Sequence, residues 1–279
     1  MNRTYEAYTQ ECMAHYASLH GDTEFDPSPI FSEGGQLVQG ALSSEVANAH
    51  VDKITHLIES NDSCVDRKDA SGLSIGIKEP LVSLGANILD CLRSPSINTA
   101  LLNFFHSNYR VEWATCYRSV PSQEIAGSWY WHSDSYPPHT LKMFLHLTPA
   151  TAETGATEIM NREDTLAYRK AGYFGQQMDE RLADLTDFAK KHNIPYRPHH
   201  FDAAAGDVTL LNSNFFHRAV APRTNHRDII SFFLVPNILT WEEQIEKDGI
   251  SSTIIPKGGV PKNPHPQKKE QETLVGSTM

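Results

Sequence analysis

GDVTLLNSNFFHRAVAPRTNHRDIISFFLVP, residues 206–236, reads as two β-strands separated by turns. Gly206-Asp207 makes a tight turn, and VTLLN is the strand that leaves it. PRTNHR (222–227) is a second turn, and residues 228–235 form another apolar strand. Upstream, TLKMFLHLT (140–148) has two unlike faces: Leu141, Met143, Leu145 and Leu147 on one, and Lys142, Phe144, His146 and Thr148 on the other. The second face either lines a polar cavity or meets solvent. Residues 111–120 alternate as a further strand, and 36–42 make a short one.

Helical patterns flank this β-rich region. Residues 4–20 read as a helix, and a second begins after Ser43 or Ser44, either of which can cap it, with Val46, His50, Ile54 and Leu57 as its face. Residues 86–105 continue the helical pattern, and 162–193 form a charged helical insertion that is either a solvated face or a lid. Helices first, then short strands with one insertion, predict a mainly β protein with α decoration: an antiparallel barrel or double-sheet jelly roll behind N-terminal helices. One domain is expected over residues 1–240, helical to about 105 and jelly-roll from 106, with a polar tail over 241–279. The last part of that tail has the composition of a mobile arm.

Composition narrows the function classes. The 279 residues are 39% hydrophobic and 21% charged, ordinary for a globular protein, and the formal charge of −10 argues against nucleic-acid binding and anionic membranes. No window has the length of a membrane span, and no signal-peptide pattern opens the chain. Cys12, Cys64, Cys91 and Cys116 are widely spaced, which fits reduced thiols and a cytoplasmic setting.

Five His-x-Asp triplets occur, so the triplet alone singles out nothing. His50 and Asp52 lie two apart on a helix, where they diverge. His20-Gly-Asp22 sits at a helix end, His226-Arg-Asp228 straddles a turn, and His200-Phe-Asp202 shares a strand face but has only His217 as a further partner. His132-Ser-Asp134 follows the β-favouring run SWYW and precedes Pro137-Pro138, so both side chains can face one side of an extended segment. His217 follows the strand VTLLN, and Arg227 lies ten residues further on. Two imidazoles and one carboxylate make the facial set of non-haem Fe(II), with three positions left open. A keto acid can fill two of these and dioxygen the third, while an arginine fork suits the keto acid's remote carboxylate.

This combination resembles the phytanoyl-CoA dioxygenase-like branch of the Fe(II)/2-oxoglutarate-dependent oxygenases. The likeness rests on GQLVQGALSSEVANAHVDKI, WHSD, LKMFLHLTPATAETGATEI and the stretch quoted first, and spans residues 35–237. It implies a double-stranded β-helix of jelly-roll, cupin-like type. It also implies His132, Asp134 and His217 as metal ligands acting through the bound iron, and Arg227 as the cation for 2-oxoglutarate. The implied reaction consumes O2 and hydroxylates or otherwise oxidises a C–H bond of a small molecule, releasing succinate and CO2. Relatives with Gly or Ala in place of the carboxylate are halogenases; Asp134 points instead to oxygen insertion. One departure is ATEIMNRED (156–164), where the family often carries a P-G-S-H-like run, so the substrate is not inherited.

Lys142 is a further expected cosubstrate contact, and Arg118, Tyr117, His146 and Trp131 are expected substrate contacts. Tyr117 and Arg118 alternate, so at most one of them reaches the cavity. Such a lining suits a polar or anionic metabolite such as an amino acid or a phosphonate. Two other functions fit the same strand pattern: a jelly-roll metalloenzyme that uses no keto acid, and a binding barrel without catalysis.

Overall fold

The computed structural model describes residues 3–66, 73–134 and 136–254. In chain order the elements are α1 (Arg3–His20), β1 (Gly35–Val38), α2 (Ser44–Glu59), β2 (Val65–Asp66), β3 (Ser74–Ile77), α3 (Pro80–Ser83), α4 (Pro95–Phe105), β4 (Tyr109–Ser119), β5 (Leu141–His146), β6 (Glu158–Ile159), α5 (Arg162–Lys170), α6 (Thr186–His192), β7 (Val208–Leu211), β8 (His217–Arg218), β9 (Arg227–Pro236) and α7 (Trp241–Asp248). Seven strands form one antiparallel sheet in the order β1-β7-β5-β9-β4-β3-β2, and β6 pairs with β8 in a second, smaller sheet. This is the double-sheet jelly roll that the strand pattern predicts.

Strand alternation divides the large sheet into two faces. Leu141, Met143 and Leu145 of β5 enter the main core with Ile230, Phe232 and Leu234 of β9 and Val208 and Leu210 of β7. Helices α2 and α4 cover that face through Ala47, Ile54, Leu101 and Phe104. Each fully buried aliphatic or aromatic side chain there contributes about 1.5–3 kcal/mol. The other face, bearing Phe144, Leu211 and Ile229, looks towards Ile159 of the small sheet. A bulge between Val111 and Trp113 shifts β4 by one residue, so Ala114 and Cys116 join the main core while Trp113 stacks on Phe233 across the sheet. The face with Lys142 and His146 therefore looks into the molecule, not into solvent.

Local chemistry sets the element ends. Ser43 caps α2, its hydroxyl accepting from the Val46 N–H at 3.3 Å. Gly206 has φ +93, and a Cβ there would come within 2.2 Å of the Leu42 carbonyl oxygen, so the turn into β7 requires glycine. Asp207 completes that turn by accepting from Gly40 N and Ala204 N, both at 2.8 Å.

Several expectations are corrected. The strand over 36–42 ends at Val38, because Gly40 turns with φ +66. The helix over 86–105 is a 3-10 segment, Ala86–Arg93, followed by α4, because Pro95 excludes a helical Ser94. SWYW is not a strand; a 3-10 turn, Gly127–Trp129, occupies its start. β2 and β3 pair antiparallel where the sequence pattern marks no strand. Residues 241–253 are not polar tail: Thr240 and Glu243 form a capping box for α7, and Trp241 is buried in the main core. The expected mobile arm lies outside the described residues. The four cysteines are free thiols, and no described helix is long and apolar enough to cross a membrane.

Candidate metal centre

His132 faces His217, the first residue of β8, across an isolated antiparallel bridge. The His132 N–H donates to the His217 carbonyl at 3.1 Å, and the His217 N–H returns a bond to the His132 carbonyl at 2.9 Å. Residues paired this way present their side chains on the same side, and the ring centroids are 4.3 Å apart. Asp134 stands two residues on, held by its N–H donating to the Ser213 carbonyl at 2.9 Å. One ligand atom from each of His132, Asp134 and His217 lies within 4.8 Å of the others, and among the described residues this is the one such group. Among the described residues the other triplets gather no third ligand; the half-buried His200 and exposed Asp202 form a pair at 3.2 Å.

Hydrogen bonds set the tautomers. Nδ1 of His132 lies 2.8 Å from the Tyr130 carbonyl, and Nδ1 of His217 lies 2.9 Å from the Phe215 carbonyl. Each Nδ1–H donates outward, which leaves the Nε2 lone pair for a metal. These Nε2 atoms are each 3.7 Å from an Asp134 oxygen. Burial foremost lowers both imidazole pKa values and keeps the rings neutral. For Asp134, burial opposes ionisation, but Lys142, His217 and His132 outweigh it and hold the carboxyl well below its usual range. Two neutral nitrogens and an ionised oxygen, with no fourth ligand gathered among the described residues, fit a divalent transition metal that keeps open positions.

The remaining expected residues divide by face. Lys142 places Nζ 2.5 Å from Asp134 Oδ2, so its ammonium is engaged by the triad's carboxylate. His146, Arg227 and Tyr117 share the inward face: His146 Nε2 lies 2.9 Å from Thr209 Oγ1, Arg227 is 1% exposed, and Tyr117 packs with Phe144 and Ile229. Arg118 does not reach this face. It forks onto Asp228 at 2.7 and 2.6 Å and bonds Thr55 of α2 at 2.9 Å, on the helix-covered side. Trp131 also turns away, donating its indole N–H to the Tyr196 hydroxyl at 3.1 Å, with the Arg218 guanidinium over its ring.

The insertion contributes what the sequence does not reveal. Trp131 and Phe216, each next to a triad histidine, belong to one buried cluster with Tyr168, Tyr173, Leu185 and Ala189 of the insertion. The Tyr173 hydroxyl donates to the Trp131 carbonyl at 2.7 Å and accepts from Leu182 N at 3.1 Å. Arg169 donates to the Asn214 carbonyl at 2.6 Å, and Thr165 accepts from Phe216 N at 3.2 Å. Gly175 has φ +59, and a Cβ there would lie 2.8 Å from the Trp131 carbonyl oxygen, so the chain passes directly against the His132 segment. No motif marks these residues, because a charged helical pattern says nothing about what lies beneath it.

No protein-family model matches the chain, and no curated protein matches it. Solved structures do. The non-heme alpha-ketoglutarate-dependent carbocyclase SnoK from nogalamycin biosynthesis superposes with a TM-score of 0.53 at 15% identity, covering 92% of this chain and 95% of SnoK. HygX from Streptomyces hygroscopicus, with nickel, 2-oxoglutarate and hygromycin B bound, gives 0.52 at 13% identity over 76% and 86% of the two chains. The epimerase SnoN, in complex with Fe3+, alpha-ketoglutarate and nogalamycin RO, gives 0.51 at 14% identity over 82% and 84%. At these identities the likeness establishes architecture alone: this chain has the jelly-roll fold that SnoK, HygX and SnoN share.

Proposed function

We propose that this chain is an Fe(II)/2-oxoglutarate-dependent dioxygenase, similar to the phytanoyl-CoA dioxygenase-like branch, that hydroxylates or otherwise oxidises a C–H bond of a small polar molecule. The observation that carries this is the pairing of the His132–Asp134–His217 triad, its two histidines buried and Asp134 partly so, with a buried inward guanidinium, Arg227. Among the described residues none of the ion pairs involves Arg227. The three neighbours above share the fold, and two of them hold a metal ion with the keto acid.

Bound iron and 2-oxoglutarate would supply the oxidising power, with O2 consumed and succinate and CO2 released. The chain's own residues bind and orient. His132 and His217 offer neutral Nε2 lone pairs, and Asp134 offers charge. Arg227 matches the remote carboxylate of a dicarboxylic keto acid, where a bidentate fork adds both energy and direction. Lys142 beside Asp134 and the polar inward face favour a polar or anionic substrate such as an amino acid or a phosphonate over a plain lipid chain.

The test is anaerobic. Fe(II)-loaded protein titrated with 2-oxoglutarate should develop a visible charge-transfer band, and keto-acid-dependent succinate should follow on admitting air. Asp134→Ala should lower metal affinity by at least about 100-fold, since even outer partners of metal ligands are worth 10- to 100-fold. Metal binding without any response to the keto acid would point to the metalloenzyme that uses none. No metal binding would leave a barrel without this chemistry.

A further inference from the structure

His146 and Arg227 are two buried polar side chains on one wall whose hydrogen-bonding capacity the protein does not fill. His146 is 4% exposed and Arg227 1%. His146 Nε2 meets Thr209 Oγ1 at 2.9 Å, while its Nδ1 is buried without a hydrogen-bond partner. Arg227 Nε is likewise buried without one. Both belong to the inward face, since Phe144, two before His146, and Ile229, two after Arg227, meet in the cluster between the sheets. His146 pairs with Ile229 across β5 and β9, so Arg227 is its diagonal neighbour, at a spacing of about 7–8 Å that long side chains bridge. Leaving two such atoms unsatisfied is costly, and a single anion between them would satisfy both.

We infer that His146 is the second half of the clamp on the remote carboxylate of the keto acid: Arg227 supplies the charge, and His146 supplies a neutral Nδ1–H while its Nε2 meets the Thr209 hydroxyl. This rests on the 2-oxoglutarate reading above and deepens it. A hydroxyl serves either tautomer, so the anion selects the one with the ring proton on Nδ1, and the Thr209 Oγ–H then donates to Nε2. The opposite tautomer would aim a lone pair at a carboxylate. The ring stays neutral because burial, and then the adjacent Arg227, push its pKa down to about 3. The clamp thus carries one positive charge and one uncharged donor, suited to a single carboxylate. A keto acid ending in a methyl group would leave both groups unsatisfied, which makes the pair a specificity device for dicarboxylic keto acids.

The experiment compares two ligands on Fe(II)-loaded protein without oxygen, read by calorimetry and by the visible band. These are 2-oxoglutarate and 2-oxovalerate, which carries a methyl group in place of the remote carboxylate. Wild type should prefer 2-oxoglutarate strongly. His146→Leu should weaken 2-oxoglutarate about 10- to 100-fold, the loss of a hydrogen bond to a charged group, and leave 2-oxovalerate unchanged. His146→Asn, which restores an N–H near the Nδ1 position, should recover most of the preference. Thr209→Val should lose part of it and serves where His146→Leu does not fold. A wild type that binds neither ligand overturns the functional reading itself. A wild type that prefers 2-oxoglutarate, with His146→Leu and Thr209→Val retaining the full preference, overturns the role of His146 alone.

Discussion

Arg118 and Arg227 look alike in the sequence, each a cation in a strand beside the expected cavity, yet they act on opposite faces of one sheet. Arg118 lies directly opposite Asp228 across the ladder, and its guanidinium satisfies a carboxylate that is 0% exposed. Arg227, one residue before Asp228, points the other way. Removing one member of a buried pair leaves an uncompensated charge. Arg118→Met should therefore lower unfolding free energy by about 3–5 kcal/mol, read as a drop in the urea midpoint, with 2-oxoglutarate affinity unchanged. Arg227→Ala should do the reverse, weakening 2-oxoglutarate by about 100-fold or more as a charge-assisted fork is lost, while metal affinity holds. Equal effects of the two substitutions on keto-acid binding would contradict the assignment of faces. The sequence made Arg227 legible through its spacing from His217. It could not separate Arg118 from Tyr117, because alternation gives opposite faces without saying which face is inward.

The insertion over residues 162–193, which contains α5 and α6, reads in the sequence as either a solvated face or a lid and is built as a buttress. Its aromatic residues pack behind Trp131 and Phe216, and its hydroxyls and guanidinium hold the backbone that flanks both triad histidines. Outer contacts that orient metal-ligating histidines are worth 10- to 100-fold in metal affinity. Tyr173→Phe removes one hydroxyl that serves both the Trp131 carbonyl and Leu182 N. It should weaken metal binding about 10-fold, measured by titration of the metal-free protein with Fe(II) or Ni(II), with little change in keto-acid preference. A variant with wild-type metal affinity would reduce the insertion to packing. The sequence shows an amphipathic, charged segment here and nothing more. Its role depends on tertiary partners contributed by a loop and by β8, which no local period encodes.

For the molecule as a whole, the sheet was legible where strands alternate and opaque where they are short. β4, β5, β7 and β9 follow the hydrophobic pattern, whereas β2, β6 and β8 are two residues long, too short to carry a period, and are defined by their pairing: β2 with β3, and β6 with β8. The packing of α2 on the large sheet buries His50, and the space between the two sheets holds His132, His146 and His217; each is at most 4% exposed, with a pKa lowered chiefly by burial. In the unfolded chain these histidines titrate near 6.5. Unfolding therefore takes up protons below that pH, and stability is fully present above about 6.5 and lost as pH falls towards the depressed native values, about 3 for His146. Each proton taken up contributes a slope of up to about 1.4 kcal/mol per pH unit. The formal charge of −10 works the other way, since protonation relieves self-repulsion, so the diagnostic quantity is a difference between variants. The urea midpoint of the metal-free protein should fall from pH 6.5 to 5, before carboxylates near pH 4 contribute, and His146→Leu should make that fall shallower. A midpoint independent of pH over this range, in wild type and His146→Leu alike, would show that these histidines are not held neutral by the fold.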